Sequence, residues 1–238
     1  MRHTSRAHLR EAGRTLATLA RRATSVRRPF DLEDVLGDFP AARLVERVRR
    51  SEEGADLLAE RPLVDDEFCA IAELLRLPRG TFGNEYARWM IENGLHRHAE
   101  ARVDAVSDPD QRYLLRRLVD VHDFWHVLSG YNCDPAGELG MLAFTFGQIP
   151  QRGIGRLLVE AVREDLRRTW RQERRIRSPL VPYLWRAFLH GRRARFLLPL
   201  QVEELFYLPI GSVRQRLGIV PAERPLSRLA MPPVAVPV

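Results

Sequence analysis

Apolar residues recur at helical intervals along the chain, and no stretch alternates apolar and polar positions for long enough to form a half-buried strand. Between residues 31 and 50, Leu32, Val35, Leu36, Phe39, Leu44, Val45 and Val48 make an amphipathic pattern interrupted by Pro40. Asp65-Asp66-Glu67 places acids at the positive end of a helix dipole, and that helix is expected to run through Leu75. Leu77-Pro78-Arg79-Gly80-Thr81 reads as a turn, with Thr81 capping a helix that continues to Asn93-Gly94. Ser107-Asp108-Pro109-Asp110 is a start signal for a helix reaching Ser129-Gly130. Asp134-Pro135 opens the next in the same way, through the mid-140s, and Pro150 breaks it. Residues 152–175 predict a long arginine-studded helix with Ile154, Leu157, Leu158, Ala161, Leu166 and Trp170 as its apolar stripe. Ser178-Pro179 begins another, reaching Arg195. The predicted fold class is all-α, a single-domain multi-helix bundle over residues 31–220. A basic amphipathic segment (1–30) precedes it and a proline-rich, loosely held tail (221–238) follows.

Composition narrows the function classes. The 238 residues suffice for one full core, and a 45% hydrophobic, 29% charged balance is that of a globular protein. No run approaches the ~18 uninterrupted apolar residues of a membrane-spanning helix, so any membrane contact is expected to be peripheral. All 38 basic residues are arginine and the net charge is +7. Such a surface favours phosphates, carboxylates and anionic head groups. Aromatic-interleaved basic motifs are missing, so no nucleic-acid partner is expected. Two cysteines, Cys69 and Cys133, are too few for a disulfide framework and fit a reducing compartment. Residues 1–30 lack the continuous apolar core of a secretory signal; Arg-rich and acid-poor, they suit either a mitochondrial targeting peptide or a basic surface helix.

The candidate chemistry lies in His122-Asp123-x-x-His126, followed after eleven residues by Glu138. Histidines four apart project from one helix face, a spacing that lets two ring nitrogens reach a cation at roughly 2.0–2.1 Å. Asp123 sits about 100° round the helix, at the edge of that face or in place to orient a histidine. The turn through Gly130–Asp134 allows Glu138, one helical turn on, to point back. Two imidazoles and two carboxylates suit zinc, iron or manganese. The plainer alternative is a surface histidine pair, with Asp123 paired to Arg116 or Arg117. Val119, Val121, Phe124, Trp125, Val127 and Leu128 weigh against it: they make the helix apolar nearly all round, so its polar side chains need partners.

These residues and their surroundings resemble the Coq-four family of coenzyme Q (ubiquinone) biosynthesis proteins. The likeness extends from the His-Asp-x-x-His…Glu signature to Leu77-Pro78-x-Gly80-Thr81-x-Gly83-x-x-Tyr86 upstream. Downstream it takes in Gly191-Arg192-Arg193-Ala194, Glu203-Glu204-Leu205 and Val213-Arg214-x-x-Leu217-Gly218-Ile219. Two departures are Val202, where many members carry tryptophan, and the turn Tyr131-Asn132-Cys133. The resemblance implies a divalent metal, with Zn2+ the usual assignment, held by His122, Asp123, His126 and Glu138 beside a hydrophobic lipid-binding cavity. It also implies C1 decarboxylation of a polyprenylated hydroxybenzoate, with oxidative hydroxylation an open variant. In this role Glu138 or Asp123 moves a proton, and Leu139, Met141, Leu142, Phe144 and Phe146 are available to line an apolar groove. The implied partners are a polyprenylated aromatic or isoprenoid lipid and other quinone-biosynthesis proteins; the basic N-terminus and the arginine-rich 163–177 segment suit an anionic membrane surface, and a homodimer is a further open expectation. The implied location is the cytoplasmic face of the inner membrane in a bacterium, or the matrix side of the mitochondrial inner membrane in a eukaryote.

Two rival readings remain open. One is a non-catalytic prenyl-lipid-binding scaffold with a structural metal. The other is a metal-dependent hydrolase. The latter meets two difficulties: a short aspartate stands where a helical metalloprotease has its glutamate base, and His96, His98 and His190, candidates for the further ligands of a phosphohydrolase, read as surface residues.

Overall fold

A computed structural model describes residues 41–64, 69–95, 106–171 and 180–222. The segments 1–30 and 223–238 lie outside it, as do residues 31–40 of the first expected helix. Among the described residues there are ten helices: α1 (Ala41–Arg49), α2 (Glu52–Glu60), α3 (Ile71–Leu74), α4 (Phe82–Glu92), α5 (Pro109–Asp120), α6 (His122–Ser129), α7 (Pro135–Gln148), α8 (Arg152–Arg171), α9 (Leu180–Arg193) and α10 (Ile210–Leu217). A 3-10 turn, Val202–Leu205, precedes α10. Among the described residues there is no strand; the nearest approach is an isolated bridge between Thr81 and Pro209. The all-α expectation holds.

The start signals act as expected. Thr81, Asp108 and Asp134 each accept hydrogen bonds from N–H groups in the first turns of α4, α5 and α7. Two helices escape the periodicity argument. The first, α2, is capped by Ser51, which accepts from the Gly54 N–H; the second, α10, ends at Gly218 in the left-handed conformation. Of the helix expected from Asp65 to Leu75, residues 65–68 lie outside the described residues; α3 begins at Ile71, because Ala70 has non-helical angles (φ −54°, ψ 105°).

The helix expected over 109–129 is two. Val121 stands between them at φ −94°, ψ −2°, where the ladder steps. Tertiary anchors on both sides explain the step. Buried Arg117 of α5 forks onto Glu203 at 2.9 and 3.0 Å and donates to the carbonyls of Leu198 and Leu200. At the other end, Gly130, in the left-handed conformation, bonds back to the His126 carbonyl. Arg214 of α10 donates to the carbonyls of Val127 and Leu128, and the Ala222 N–H to that of Ser129. Every carbonyl of the last turn of α6 therefore has a partner, which a helix end inside a protein requires. The first residues past 220 are pinned here, not loose.

One continuous core draws on α1 to α7, α9 and α10, with Phe82, Tyr86, Phe124 and Phe206 in mutual ring contact at its centre. The tightest packing is between α7 and α9. A Cβ at Gly147 would overlap the Phe188 carbonyl, and one at Gly191 would overlap that of Phe144, so the two backbones touch. Gln148 fixes their register by donating to the Gly191 carbonyl while its own oxygen accepts from the Leu197 N–H. A smaller apolar cluster, Leu142 and Ile154 with Leu139, Phe146, Leu157 and Leu158, fills the seam between α7 and α8.

Candidate metal centre

The start of α6 and the first turn of α7 face each other across the Gly130–Asp134 turn, and this brings three of the four expected ligands together. His126 Nε2 lies 3.0 Å from His122 Nε2 and 3.6 Å from Glu138 Oε2; His122 Nε2 lies 3.9 Å from the same oxygen. Donors sharing one cation can be no further apart than twice a bond of ~2.0–2.1 Å, roughly 4.1 Å, and all three separations fall inside that bound. Asp123, also partly exposed, is not in this converging group. Neither suggested arginine partner holds it in an ion pair: Arg117 is committed to Glu203, and Arg116 reaches Asp120 at 3.6 Å.

The turn orients the site as well as closing it. His126 Nδ1 lies 2.9 Å from the Tyr131 carbonyl, which can only accept, so that nitrogen carries a proton in either charge state and, whenever the ring is neutral, a bare Nε2 faces His122 and Glu138. The pocket needs small residues close by. A Cβ at Gly137 would collide with the backbone of Asn132, and one at Gly140 with the Tyr131 ring and the Tyr183 hydroxyl. The indole of Trp89, from α4, stacks on the His126 ring at 5.4 Å and 25°. His126 is 1% exposed, Glu138 10% and His122 23%, so the site opens to solvent on the His122 side.

Electrostatics make the three groups an anion with two basic rings. Burial alone would raise the Glu138 pKa, yet the charge of His126 and the hydrogen bonds of both imidazoles hold it at about 2. Burial likewise opposes charging of His126, but Glu138, the Tyr131 carbonyl and Asp123 together raise its pKa. Two basic rings crowded round an ionised buried carboxylate are the donor chemistry of a divalent-cation site, and the residues fit one. Cys133 lies close by; burial and the charges of Glu138, Asp123 and Asp134 push its thiol well above the ordinary range, so it stays protonated.

Sequence reasoning missed three contributors. Trp89 and Tyr131 were assigned no role at the centre, and His190, read as a surface residue, is half-buried with Nδ1 3.2 Å from the Tyr131 hydroxyl. A helical histidine next to Gly191, on a helix packed by backbone contact, was the one available signal. His96 and His98 lie outside the described residues.

The comparisons agree with this architecture. The family profile described as coenzyme Q (ubiquinone) biosynthesis protein Coq4 matches residues 21–223. The mitochondrial ubiquinone biosynthesis protein COQ4 homolog of Nematostella vectensis is 31% identical over 201 residues, covering 82% of this chain and 94% of that one. Its human counterpart is 30% identical over 193 residues, covering 79% and 71%. A crystal structure of a candidate ubiquinone biosynthesis protein from Nostoc punctiforme superposes with a TM-score of 0.61 at 25% identity, covering 88% of this chain and 96% of that one. With a helical fold that holds the His-x-x-x-His…Glu centre, and a profile match over most of its length, this chain belongs to the Coq4 family of ubiquinone biosynthesis proteins.

Proposed function

We propose that the protein removes the C1 carboxylate of a polyprenylated hydroxybenzoate at a divalent metal, Zn2+ by preference, held by His122, His126 and Glu138. The observation that carries the reading is the convergence of those three donors, with His126 Nδ1 engaged by the Tyr131 carbonyl and Nε2 turned to the other two. A cation bound there supplies charge stabilisation for an anionic substrate. The chain's own groups divide the remaining work. Glu138, ionised and buried, serves as a ligand. Asp123, partly exposed and outside the converging group, is the carboxyl assigned to carry a proton to C1 as the C1–carboxylate bond breaks and CO2 leaves. Trp89 covers His126 and shields the inner side from water. The partly exposed rim of the seam between α7 and α8, Leu139, Phe146 and Leu157, begins one residue from Glu138 and is the apolar surface we assign to an isoprenoid tail.

An anionic membrane is the second element of the proposal. Helix α9 exposes Val181 and Trp185, the latter at 59%, beside Arg186, and α8, packed against it, exposes Val159 and Leu166 among Arg163 and Arg167. An aromatic amid arginines is the surface chemistry of a peripheral seat on lipid.

The test is single-turnover reaction of the purified, metal-loaded protein with a short-chain polyprenyl hydroxymethoxybenzoate. Elemental analysis is run in parallel. Wild type is expected to form the decarboxylated product, and mass spectrometry tells hydrogen from hydroxyl at C1. H126A is expected to lose metal affinity and turnover by at least about tenfold, since even the groups that orient a ligand are worth that much. Wild-type metal and turnover in H126A would overturn the reading; metal without turnover in wild type would favour a lipid-binding scaffold.

A further inference from the structure

The ring nitrogen of His126 that faces away from the centre is held by a main-chain carbonyl, and a main-chain carbonyl is only as fixed as the loop that carries it. Tyr131 sits in an irregular turn, after Gly130 in the left-handed conformation (φ +79°) and before exposed Asn132. What anchors it is its own side chain. The ring is 5% exposed and packs between Phe144 and Tyr183 in space that Gly140 leaves open, and its hydroxyl reaches His190 Nδ1 at 3.2 Å.

We propose that His190 is a positioning residue for the metal centre: by holding the Tyr131 hydroxyl it fixes the carbonyl that sets the tautomer and aim of His126. This rests on the metal reading above and extends it to a residue some three links from the cation.

Two observations carry it. First, the polarity of His190 has no other use in the described structure. Its ring lies edge-on to Phe144 at 5.0 Å, and its buried Nε2 has no hydrogen-bond partner, so Tyr131 supplies its one polar contact. An apolar side chain would fill the same space without leaving a buried nitrogen unpaired. Burial lowers the His190 pKa, which keeps the ring neutral and lets Nδ1 accept from the hydroxyl. Second, the main chain beneath His190 is locked to the helix bearing Glu138. Gly191 touches the Phe144 backbone and Gln148 donates to the Gly191 carbonyl, so α9 cannot shift against α7. The chain His190–Tyr131–His126 thus sets one ligand, from α6, in the frame of another, from α7.

The experiment compares Zn2+ affinity, by competition with a chromophoric chelator, in full-length wild type, Tyr131→Phe, His190→Phe, His190→Gln and the Tyr131→Phe/His190→Phe double variant. Thermal unfolding of each metal-free protein and the visible spectrum of its Co2+ form are recorded as well. Tyr131→Phe and His190→Phe are each expected to weaken Zn2+ binding by ~10–100-fold, the range for groups that orient a ligand, and to alter the Co2+ spectrum. The double variant should lose no more than the worse single one, because both break one link. His190→Gln, whose amide oxygen can accept from the hydroxyl, should bind nearly as wild type. Unchanged affinity in Tyr131→Phe, or losses that add in the double variant, would overturn the proposal and leave His190 as packing. Should His190→Phe fail to fold, Tyr131→Phe, which removes a single oxygen, decides. Absence of Zn2+ binding in wild type would instead fell the metal reading, and this inference with it.

Discussion

Arg117 is withdrawn almost wholly from water, 1% exposed, and each of its three guanidinium nitrogens donates to Glu203 or to the Leu198 and Leu200 carbonyls. Such a pair adds little net stability over a matched apolar pair, but either member alone is a buried charge without a counterion. Arg117→Met is therefore expected to cost about 3–5 kcal/mol in urea unfolding, and a second change, Glu203→Leu, to recover much of it. The pair also shows how far single residues are legible. His122, His126 and Glu138 could be read because their geometry is local: a four-residue spacing and a capped turn bring them together. Arg117 and Glu203 are 86 positions apart and Trp89 and His126 are 37, so only the folded chain reveals who faces whom. Asp123, next to His122 in sequence, lies outside the converging group, because neighbours along a helix sit about 100° apart round its axis.

For elements, punctuation was the reliable signal. Asp108-Pro109 and Asp134-Pro135 mark the starts of α5 and α7, because a capping carboxylate and a proline lacking its N–H satisfy local rules. The step at Val121 breaks no local rule. It is imposed by anchors to residues 198–203 on one side and 214–222 on the other, so periodicity ran through it. The segment around Arg214, which the sequence alone ties only to a family resemblance, is a cap supplied by another helix. Arg214→Ala strands the Val127 and Leu128 carbonyls and is expected to cost about 1–3 kcal/mol by denaturant unfolding. Arg214→Lys should rescue it only in part, since a single ammonium replaces a two-nitrogen fork. Full stability in Arg214→Ala would show that water replaces the guanidinium at no cost.

Across the whole molecule, Asp110 joins three helices, pairing with Arg49 at the end of α1 and with Arg61 just past α2 from its own place in α5. The Arg61 hydrogen bond, and after it Arg49, lower its pKa despite partial burial. A depressed carboxyl pKa stabilises the fold above its unfolded value, about 3.9, and that gain disappears as pH falls through the folded value. Asp110→Asn should therefore lower the unfolding midpoint at pH 7, and the gap from wild type should close below about pH 4. A gap that persisted undiminished at pH 2 would assign the loss to something other than charge. The outer surface makes a separate prediction. Trp185→Ala is expected to weaken co-sedimentation with phosphatidylglycerol vesicles while leaving binding to neutral vesicles unchanged at its low level. Equal binding by both proteins would place any membrane seat elsewhere.

The partners that close the last turn of α6 also set a schedule. Ribosomes deliver the chain from its N-terminus, so His122 and His126 emerge well before Arg214 and Ala222, which cap the helix that carries them. At about 5–20 residues per second, that interval is roughly 5–20 s, with additional time while the newest residues remain inside the exit tunnel. Throughout it the nascent helix ends in unanswered carbonyls, and His190, some 60 positions downstream, is likewise delayed. A nascent chain stalled after residue 200 should accordingly capture metal far less well than one stalled long enough after 222 to free that residue. For the proposed metal site, uptake of a cation is therefore expected in the final stage of synthesis, when translation has handed over the residues that hold the three donors still.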